Sequence, residues 1–178
     1  IKTAVCYLAD KEEIGSNGAT GLDSKYIEYF MADVAFKLKE KHSEQRMRKG
    51  LWNSCAISAD VNACMDTTFK SVHDEQNAAK CGHGIVVTKF TGHGGKYGSN
   101  DADAEFVAEI RALFNREKVI WQTAELGKVD EGGGGTVAKF LAAYGMKVID
   151  AGPGLISMHS PFEVASKLDI FESFKAYK

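Results

Sequence analysis

Short β-branched segments alternate along this chain with longer segments of helical periodicity, and this alternation constrains the fold more than any other feature. The clearest strand is predicted at residues 85–90, which open with the sequence I-V-V-T. Further strands are predicted at residues 1–8, 54–59, 119–123 and 147–150. Strands separated by helical patterns predict an α/β fold, layered around a mainly parallel central sheet.

The helices are predicted from apolar residues that recur about every 3.6 positions. They cover residues 24–41, 101–115, 136–144 and 160–177. The last of them is expected to open with a capping box, in which Ser160 is the N-cap, Pro161 takes the first helical position and Glu163 follows three residues after the cap. This box is expected to fix the loop that precedes the helix.

Length and composition exclude several classes of protein. The chain has 178 residues, of which 44% are hydrophobic, so one domain or a large part of one is expected. The net charge of −2 gives no support for a nucleic-acid surface or for binding to anionic membranes, and no apolar stretch is long enough to span a bilayer. The four cysteines form no C-x-x-C pair and are interpreted as reduced thiols, with Cys6 and Cys55 in the core, which favours a cytoplasmic location.

Acidic and imidazole side chains follow three of the predicted strands. Glu12 and Glu13 follow the first strand, Asp60 follows the second, and His159 lies in the loop after the last. In open α/β sheets, binding sites form outside the carboxyl ends of the strands. We therefore expect these side chains to meet at one edge of the sheet.

Each of these residues has a functional and a simpler interpretation. Adjacent carboxylates such as Glu12 and Glu13 repel each other unless a cation lies beside them. A divalent metal allows one carboxylate to bind it and the other to take a proton from water. The simpler interpretations are a solvated acidic turn for the pair, a turn-forming role for Asp60, and a packed or surface position for His159. For any one residue taken alone, the simpler interpretation is the more common one.

A run of four glycines at residues 132–135 precedes Thr136 and the third predicted helix. Its amides could hold an anion, but the run lacks the G-K-[ST] ending of a phosphate-binding loop. Glycines in such a run are better explained by backbone that passes close to a ligand or to another strand. The chain has no H-E-x-x-H motif, which excludes a thermolysin-like zinc site.

Three short motifs occur in a specific order and spacing. They are D-K-E-E-I-G-S at residues 10–16, S-A-D at 58–60, and V-I-D at 148–150 followed by L-I-S-M-H-S at 155–160. With these motifs the chain resembles the aminopeptidase I/aspartyl aminopeptidase family of cocatalytic zinc metallopeptidases over essentially its whole length. Segments 96–100 and 130–136 are also similar to that family.

The resemblance implies a three-layer αβα sandwich of the zinc-dependent exopeptidase type, and it implies roles for individual residues. Glu12 would be the general base, Glu13 and His159 would bind one metal, and Asp60 would bind the other. Two zinc ions per complete site are implied, with cobalt or manganese as alternatives. Substrate binding is expected to involve Gly133, Gly134 and Met158.

The resemblance also implies what lies outside this sequence. In the family, a further His ligand, an Asp that bridges the metals and a dimerisation domain precede the Glu-Glu motif. Residues 1–178 are therefore expected to be the C-terminal portion of a single metallopeptidase catalytic domain. The expected substrates are peptides, and no nucleic-acid or membrane partner is expected. Assembly into a homo-oligomer, a dodecamer in the family, is also expected.

Other functions remain open at this stage. The chain would be a catalytically incomplete fragment or pseudoenzyme if it bound metal or an anion without hydrolysis. It would be an anion- or nucleotide-binding module if the glycine run were its site. An endoglucanase-like or deacylating enzyme on the same two-metal scaffold is a third alternative. The motifs favour a metal-dependent aminopeptidase that removes N-terminal residues from peptides.

Overall fold

The structure is a computed structural model that describes residues 3–38, 43–94, 97–128 and 130–178. The helices are α1 (Tyr26–Lys37), α2 (Glu44–Trp52), α3 (Ala104–Arg116), α4 (Ala138–Ala142) and α5 (Lys167–Tyr177), with 3-10 turns at Glu12–Ile14 and Lys70–Val72. The strands are β1 (Cys55–Ser58), β2 (Asn62–Ala63), β3 (Ile85–Thr88), β4 (Phe90–His93), β5 (Tyr97–Asp101), β6 (Trp121–Thr123), β7 (Gly133–Gly134), β8 (Lys147–Gly152), β9 (Gly154–Ile156) and β10 (Val164–Ala165).

The central sheet has the strand order β1-β8-β3-β6. β1 pairs with β8 and β3 pairs with β6 in parallel, whereas β8 runs antiparallel to β3. The described residues also form two three-stranded sheets, with the orders β10-β9-β2 and β5-β4-β7. The predicted α/β fold with a mainly parallel sheet is confirmed, although the reversal at β8 was not predicted.

The core lies on both faces of β3, where every residue is buried. Ile85 and Val87 pack against one side of α3, which contributes Phe106, Ile110 and Phe114 to the same cluster. Val86 points to the other face of the sheet and packs in a second cluster with Cys64, Ala79 and Ala124. A strand covered on both faces needs a continuous apolar run rather than alternation, which explains the I-V-V sequence.

A local hydrogen bond fixes the residue at which helix α3 begins. The side chain of Asp103 accepts a hydrogen bond from the Phe106 N–H at 2.8 Å and so caps the helix. The predicted helix at 101–115 is therefore confirmed with a shifted start, because Asp101 is the last residue of β5. The predicted strand at 85–90 ends at Thr88, and Phe90 opens β4.

The start of the chain departs from the prediction. Residues 3–8 form no strand, and no strand among the described residues pairs with them; residues 1–2 lie outside the described ranges. The first pairing is an isolated bridge between Asp10 and Gly21. Cys6 and Cys55 are exposed rather than in the core, Cys55 on the edge strand β1. The predicted helix 24–41 corresponds to α1, and its predicted end at residues 39–41 lies outside the described ranges.

The prediction of a helix from residue 160 is also wrong in its start. Val164 and Ala165 form β10, which pairs with Ile156 and Leu155 of β9, so the backbone there is extended. Helix α5 begins at Lys167, with Ser166 as its N-cap residue. Among the described residues, no helix combines the length and the apolar character needed to cross a membrane.

Candidate functional site

The Glu-Glu motif forms a single turn of 3-10 helix, Glu12–Ile14. Both flanking residues are left-handed, Lys11 with φ 62° and Gly15 with φ 85°, and the Ser16 N–H closes the turn on the Lys11 carbonyl at 2.8 Å. Successive side chains in such a turn point in different directions. Glu12 is accordingly half-buried while Glu13 is exposed, so the two carboxylates have different surroundings.

The loop after β9 presents His159. The backbone is left-handed at both Ser157 (φ 61°) and His159 (φ 65°), a conformation that is uncommon outside glycine. The Ser160 N–H donates to the Ser157 carbonyl at 3.1 Å, which closes the turn. Strained backbone of this kind is concentrated at functional sites, so the loop is a candidate on geometry alone.

The structure brings Glu13 and His159 together. Glu13 Oε2 lies 3.1 Å from His159 Nε2, although the side chains are 74% and 69% exposed. Two ligands of one zinc ion, bound at 2.0–2.2 Å with a tetrahedral angle, lie about 3.3 Å apart. The spacing of these two atoms thus fits a shared zinc ion.

Asp60 follows β1 and is held close to the end of β8. Its carbonyl oxygen would lie only 2.0 Å from a Cβ placed on Gly152, so this approach requires glycine at that position. The Asp60 carboxylate accepts the Val61 N–H at 2.8 Å. Burial raises the pKa of Asp60, and the hydrogen bond from the Val61 N–H lowers that pKa. The charge of Glu13 raises the same pKa further, and His159 lowers it. Asp60 therefore belongs to the same group of charges as the pair.

Glu12 shares this environment. Burial raises its pKa, and the charges of Asp60 and Glu13 raise it further, while His159 and Lys139 lower it. A carboxylate whose pKa moves up toward neutrality is better suited to accept and return a proton. Lys139, on α4, was not expected at the site from the sequence.

Asp150 is a further acid that sequence reasoning did not assign to the site. It is 3% exposed, and neither carboxylate oxygen has a hydrogen-bond partner of ordinary geometry among the described residues. Burial raises the pKa of Asp150 to about 6, the hydroxyls of Ser58 and Thr136 lower it, and Asp60 and Glu12 raise it. The available signal was an acid inside the apolar strand β8.

The donors present suit zinc in kind, since zinc takes imidazole nitrogen and carboxylate oxygen. Among residues 3–38, 43–94, 97–128 and 130–178, however, no three His, Cys, Asp or Glu side chains converge closely enough to hold an ion. The Glu13–His159 pair therefore supplies two of the donors that a zinc site requires.

The glycine run has a structural explanation in the fold. Gly133 and Gly134 form β7, which pairs with His93 and Gly92 of β4. A Cβ on Gly133 would lie 2.3 Å from the Gly92 carbonyl oxygen. The close approach expected there is thus made by another strand. Met158 lies half-buried beside His159 in the chain, and a substrate-binding role for these residues remains a prediction.

Comparison with known proteins matches the whole chain, residues 1–178, to the model of the family described as aminopeptidase I zinc metalloprotease (M18). A probable M18 family aminopeptidase 1 of Borreliella afzelii is 59% identical over 178 residues, which cover 99% of this chain and 39% of that protein. This chain therefore spans well under half the length of such relatives.

Solved structures agree with the sequence comparison. The crystal structure of an M18 family aminopeptidase from Thermotoga maritima matches 95% of this chain and 38% of its own, with a TM-score of 0.90 and 50% identity. Aminopeptidase I from Clostridium acetobutylicum matches 94% of this chain and 36% of its own, with a TM-score of 0.83 and 50% identity. Fold and sequence together show that this chain belongs to the aminopeptidase I zinc metalloprotease (M18) family.

Proposed function

We propose that this chain carries part of the active site of a metal-dependent aminopeptidase that removes N-terminal residues from peptides. The observation that carries the proposal is the 3.1 Å approach of Glu13 Oε2 to His159 Nε2, with Glu12 and Asp60 in the same electrostatic group. Family membership supports it. Because relatives are more than twice as long, the activity is proposed for the complete polypeptide rather than for these 178 residues alone.

Glu13 and His159 would hold one zinc ion, and Asp60 would hold a second. When bound, zinc supplies polarisation of the scissile carbonyl and lowers the pKa of the attacking water. Cobalt or manganese would suit the same mixture of carboxylate and imidazole donors. The number and identity of the ions are part of the proposal.

Glu12 is proposed as the general base. It accepts the proton of the attacking water on its carboxylate and returns that proton to the leaving amine. Partial burial and the neighbouring acids raise its pKa, which favours both transfers. Gly133, Gly134 and Met158 are proposed to border the bound peptide, and a required free α-amine would restrict cleavage to the N-terminal residue.

The test uses the polypeptide expressed from its complete reading frame. Zinc content and hydrolysis of leucyl- and aspartyl-p-nitroanilide are measured before and after treatment with a chelator. Two zinc ions per chain and release that a chelator abolishes are expected, and His159→Ala should bind less zinc than wild type and lose hydrolysis. Hydrolysis that is indifferent to the chelator, or a His159→Ala protein that is as active as wild type, would overturn the proposal.

A second candidate is a metal-binding protein without hydrolysis. It rests on the approach of Glu13 Oε2 to His159 Nε2, a pair of donors that could bind a metal without a complete catalytic site. The same experiment separates the two functions, because this candidate predicts bound zinc and no p-nitroaniline release from either substrate. Homo-oligomeric assembly, which rests on the family, and a cytoplasmic location, which rests on the free cysteines, remain proposals.

A further inference from the structure

The S-x-x-E sequence at residues 160–163 does not cap a helix, yet both side chains bond to nearby backbone. Glu163 Oε1 accepts the backbone N–H of His159 at 2.6 Å. The Ser160 hydroxyl accepts the Phe162 N–H at 3.1 Å and donates to the Phe162 carbonyl at 2.8 Å. These hydrogen bonds therefore close a loop instead of a helix terminus, and the bond to Glu163 holds the backbone of His159.

From this geometry we infer that Glu163 is a positioning residue that fixes the backbone of His159, and through it the direction of the imidazole toward Glu13. The inference rests on the proposed function. The direction of a Cα–Cβ bond depends on the local backbone, and the left-handed conformation of His159 (φ 65°) is disfavoured for a residue with a Cβ. A hydrogen bond from that same residue's N–H to a charged carboxylate opposes its relaxation.

Besides the bond to Glu163, one hydrogen bond spans the His159 backbone, from the Ser160 N–H to the Ser157 carbonyl at 3.1 Å. The turn on its N-terminal side is itself left-handed at Ser157, and the imidazole is mostly exposed, so packing does not hold it. On the C-terminal side, Val164 is anchored in β10 by pairing with Ile156. This pairing places Glu163 next to a fixed strand, from which its side chain reaches back to His159.

The test measures zinc affinity of the complete polypeptide by competition with a chelating dye, for wild type, Glu163→Ala and Glu163→Gln. Glutamine keeps a side-chain oxygen that accepts the His159 N–H, whereas alanine does not. Glu163→Ala is expected to weaken zinc binding by about tenfold or more, and Glu163→Gln to stay within about threefold of wild type. Phe162→Ala, which truncates an 85% exposed neighbour, is the matched control and should bind like wild type.

Thermal unfolding of the metal-free proteins shows whether a substitution destabilises the fold in general. Zinc affinity then reports the positioning of His159 separately from that effect. The inference is overturned if Glu163→Ala binds zinc as wild type does, or if Glu163→Gln is as weak as Glu163→Ala. If Glu163→Ala does not fold, Glu163→Asp replaces it, because the shorter side chain keeps the charge but loses the reach. Weak binding by Glu163→Asp beside normal binding by Glu163→Gln then supports the inference, and the opposite order overturns it.

The failure of this inference differs from the failure of the proposed function. If His159→Ala weakens zinc binding while Glu163→Ala does not change it, the function stands and only the positioning role is wrong. If wild type binds no zinc, both are wrong.

Discussion

Among the described residues, the buried acids of helix α5 and the buried acid of strand β8 have opposite hydrogen-bond surroundings. Asp169, at the start of α5, accepts the N–H groups of Gly82 and Gly84 at 2.8 and 2.7 Å. Asp150, at the candidate site, is as thoroughly buried but has no hydrogen-bond partner of ordinary geometry on either oxygen among the described residues. Asp169 ties a loop to a helix, whereas Asp150 has the Ser58 and Thr136 hydroxyls nearby but accepts no hydrogen bond of ordinary geometry from the described residues.

The same contrast extends to the pKa values of neighbouring acids. Burial pushes the pKa of Glu172 upward, but hydrogen bonds from Lys175 and from the Ile120 N–H outweigh it and leave that pKa lowered. At the candidate site, the pKa values of Glu12 and Asp60 are raised. Carboxylates whose hydrogen bonds outweigh the cost of burial stabilise a fold, whereas those whose pKa burial leaves raised cost stability and retain the capacity to bind a proton or a cation. The comparison thus separates acids that hold the fold from acids available for chemistry.

The largest expected effect tests whether Glu12 belongs to the second group. Glu12→Gln keeps the shape of the side chain but removes the base, so kcat for leucyl-p-nitroanilide should fall by roughly 10²–10⁴. Zinc content should not change, because Glu12 is not proposed as a ligand. Glu109→Gln, on the exposed side of α3, is the control and should keep full activity. A Glu12→Gln protein with wild-type turnover would remove Glu12 from the mechanism.

Asp169 provides the opposite test. Asp169→Ala leaves two N–H groups without their acceptor, and each such loss costs about 1–3 kcal/mol, so the free energy of unfolding should fall by about 3–4 kcal/mol. Lys167→Ala, at an exposed position of the same helix, should change it by less than about 0.5 kcal/mol. Both values come from urea unfolding of the metal-free protein. Equal stabilities for the two variants would contradict a structural role for Asp169.

Asp150 predicts a pH dependence whose sign follows from its environment. Its pKa in the folded protein is about 6, above the ordinary value of 3.8, so the proton is bound more tightly in the folded state. The stabilisation from that proton is complete below about pH 4 and is lost as the pH rises through about 6. Asp150→Asn removes this titration.

The measurement is urea unfolding of metal-free wild type and Asp150→Asn at about pH 4.5, 5.5 and 7.5. Relative to the variant, wild type should lose roughly 2 kcal/mol of unfolding free energy between the ends of that range. Asp23→Asn, at an exposed acid, serves as control and should follow wild type throughout. Parallel curves for wild type and Asp150→Asn would show that Asp150 is not held in an unfavourable environment.

Much of the fold could be predicted from local pattern, because β3 and α3 carry both the apolar residues and the cap that specify them. Asp60 follows β1 as the sequence predicts, but the rule that strand ends meet at one edge of a sheet does not account for Glu12, because residues 3–8 form no strand. Residues 3–8 could not be predicted in this way, because an apolar segment becomes a strand only where another strand supplies hydrogen bonds. The sequence of one segment does not show whether another strand will pair with it.

Helix α5 shows a second limit. Its buried residues are Asp169, Glu172 and Ser173, while Phe171 and Phe174 are exposed, which inverts the usual hydrophobic pattern. The buried face is polar because its carboxylates accept hydrogen bonds from the backbone of loops. The periodicity of apolar residues does not predict such hydrogen-bond partners. Asp150 belongs to a motif of the sequence but was not assigned to the site, because only the structure shows that its carboxylate oxygens lack hydrogen-bond partners of ordinary geometry among the described residues.

The smallest expected effect comes from a comparison of two glycines with left-handed backbone, one in close contact with another strand and one not. Gly133 and Gly94 are both left-handed, with φ 93° and 55°. A Cβ on Gly133 would lie 2.3 Å from the Gly92 carbonyl oxygen, whereas a Cβ on Gly94 would meet no atom of the described residues within 4 Å. Left-handed backbone alone costs alanine about 1–2 kcal/mol, so Gly94→Ala measures that cost. Gly133→Ala should lower the free energy of unfolding by about 1 kcal/mol more, since β7 must move away from β4. Equal losses would mean that the β4 contact does not require glycine, and a higher KM without the extra loss of stability would favour the proposed substrate role.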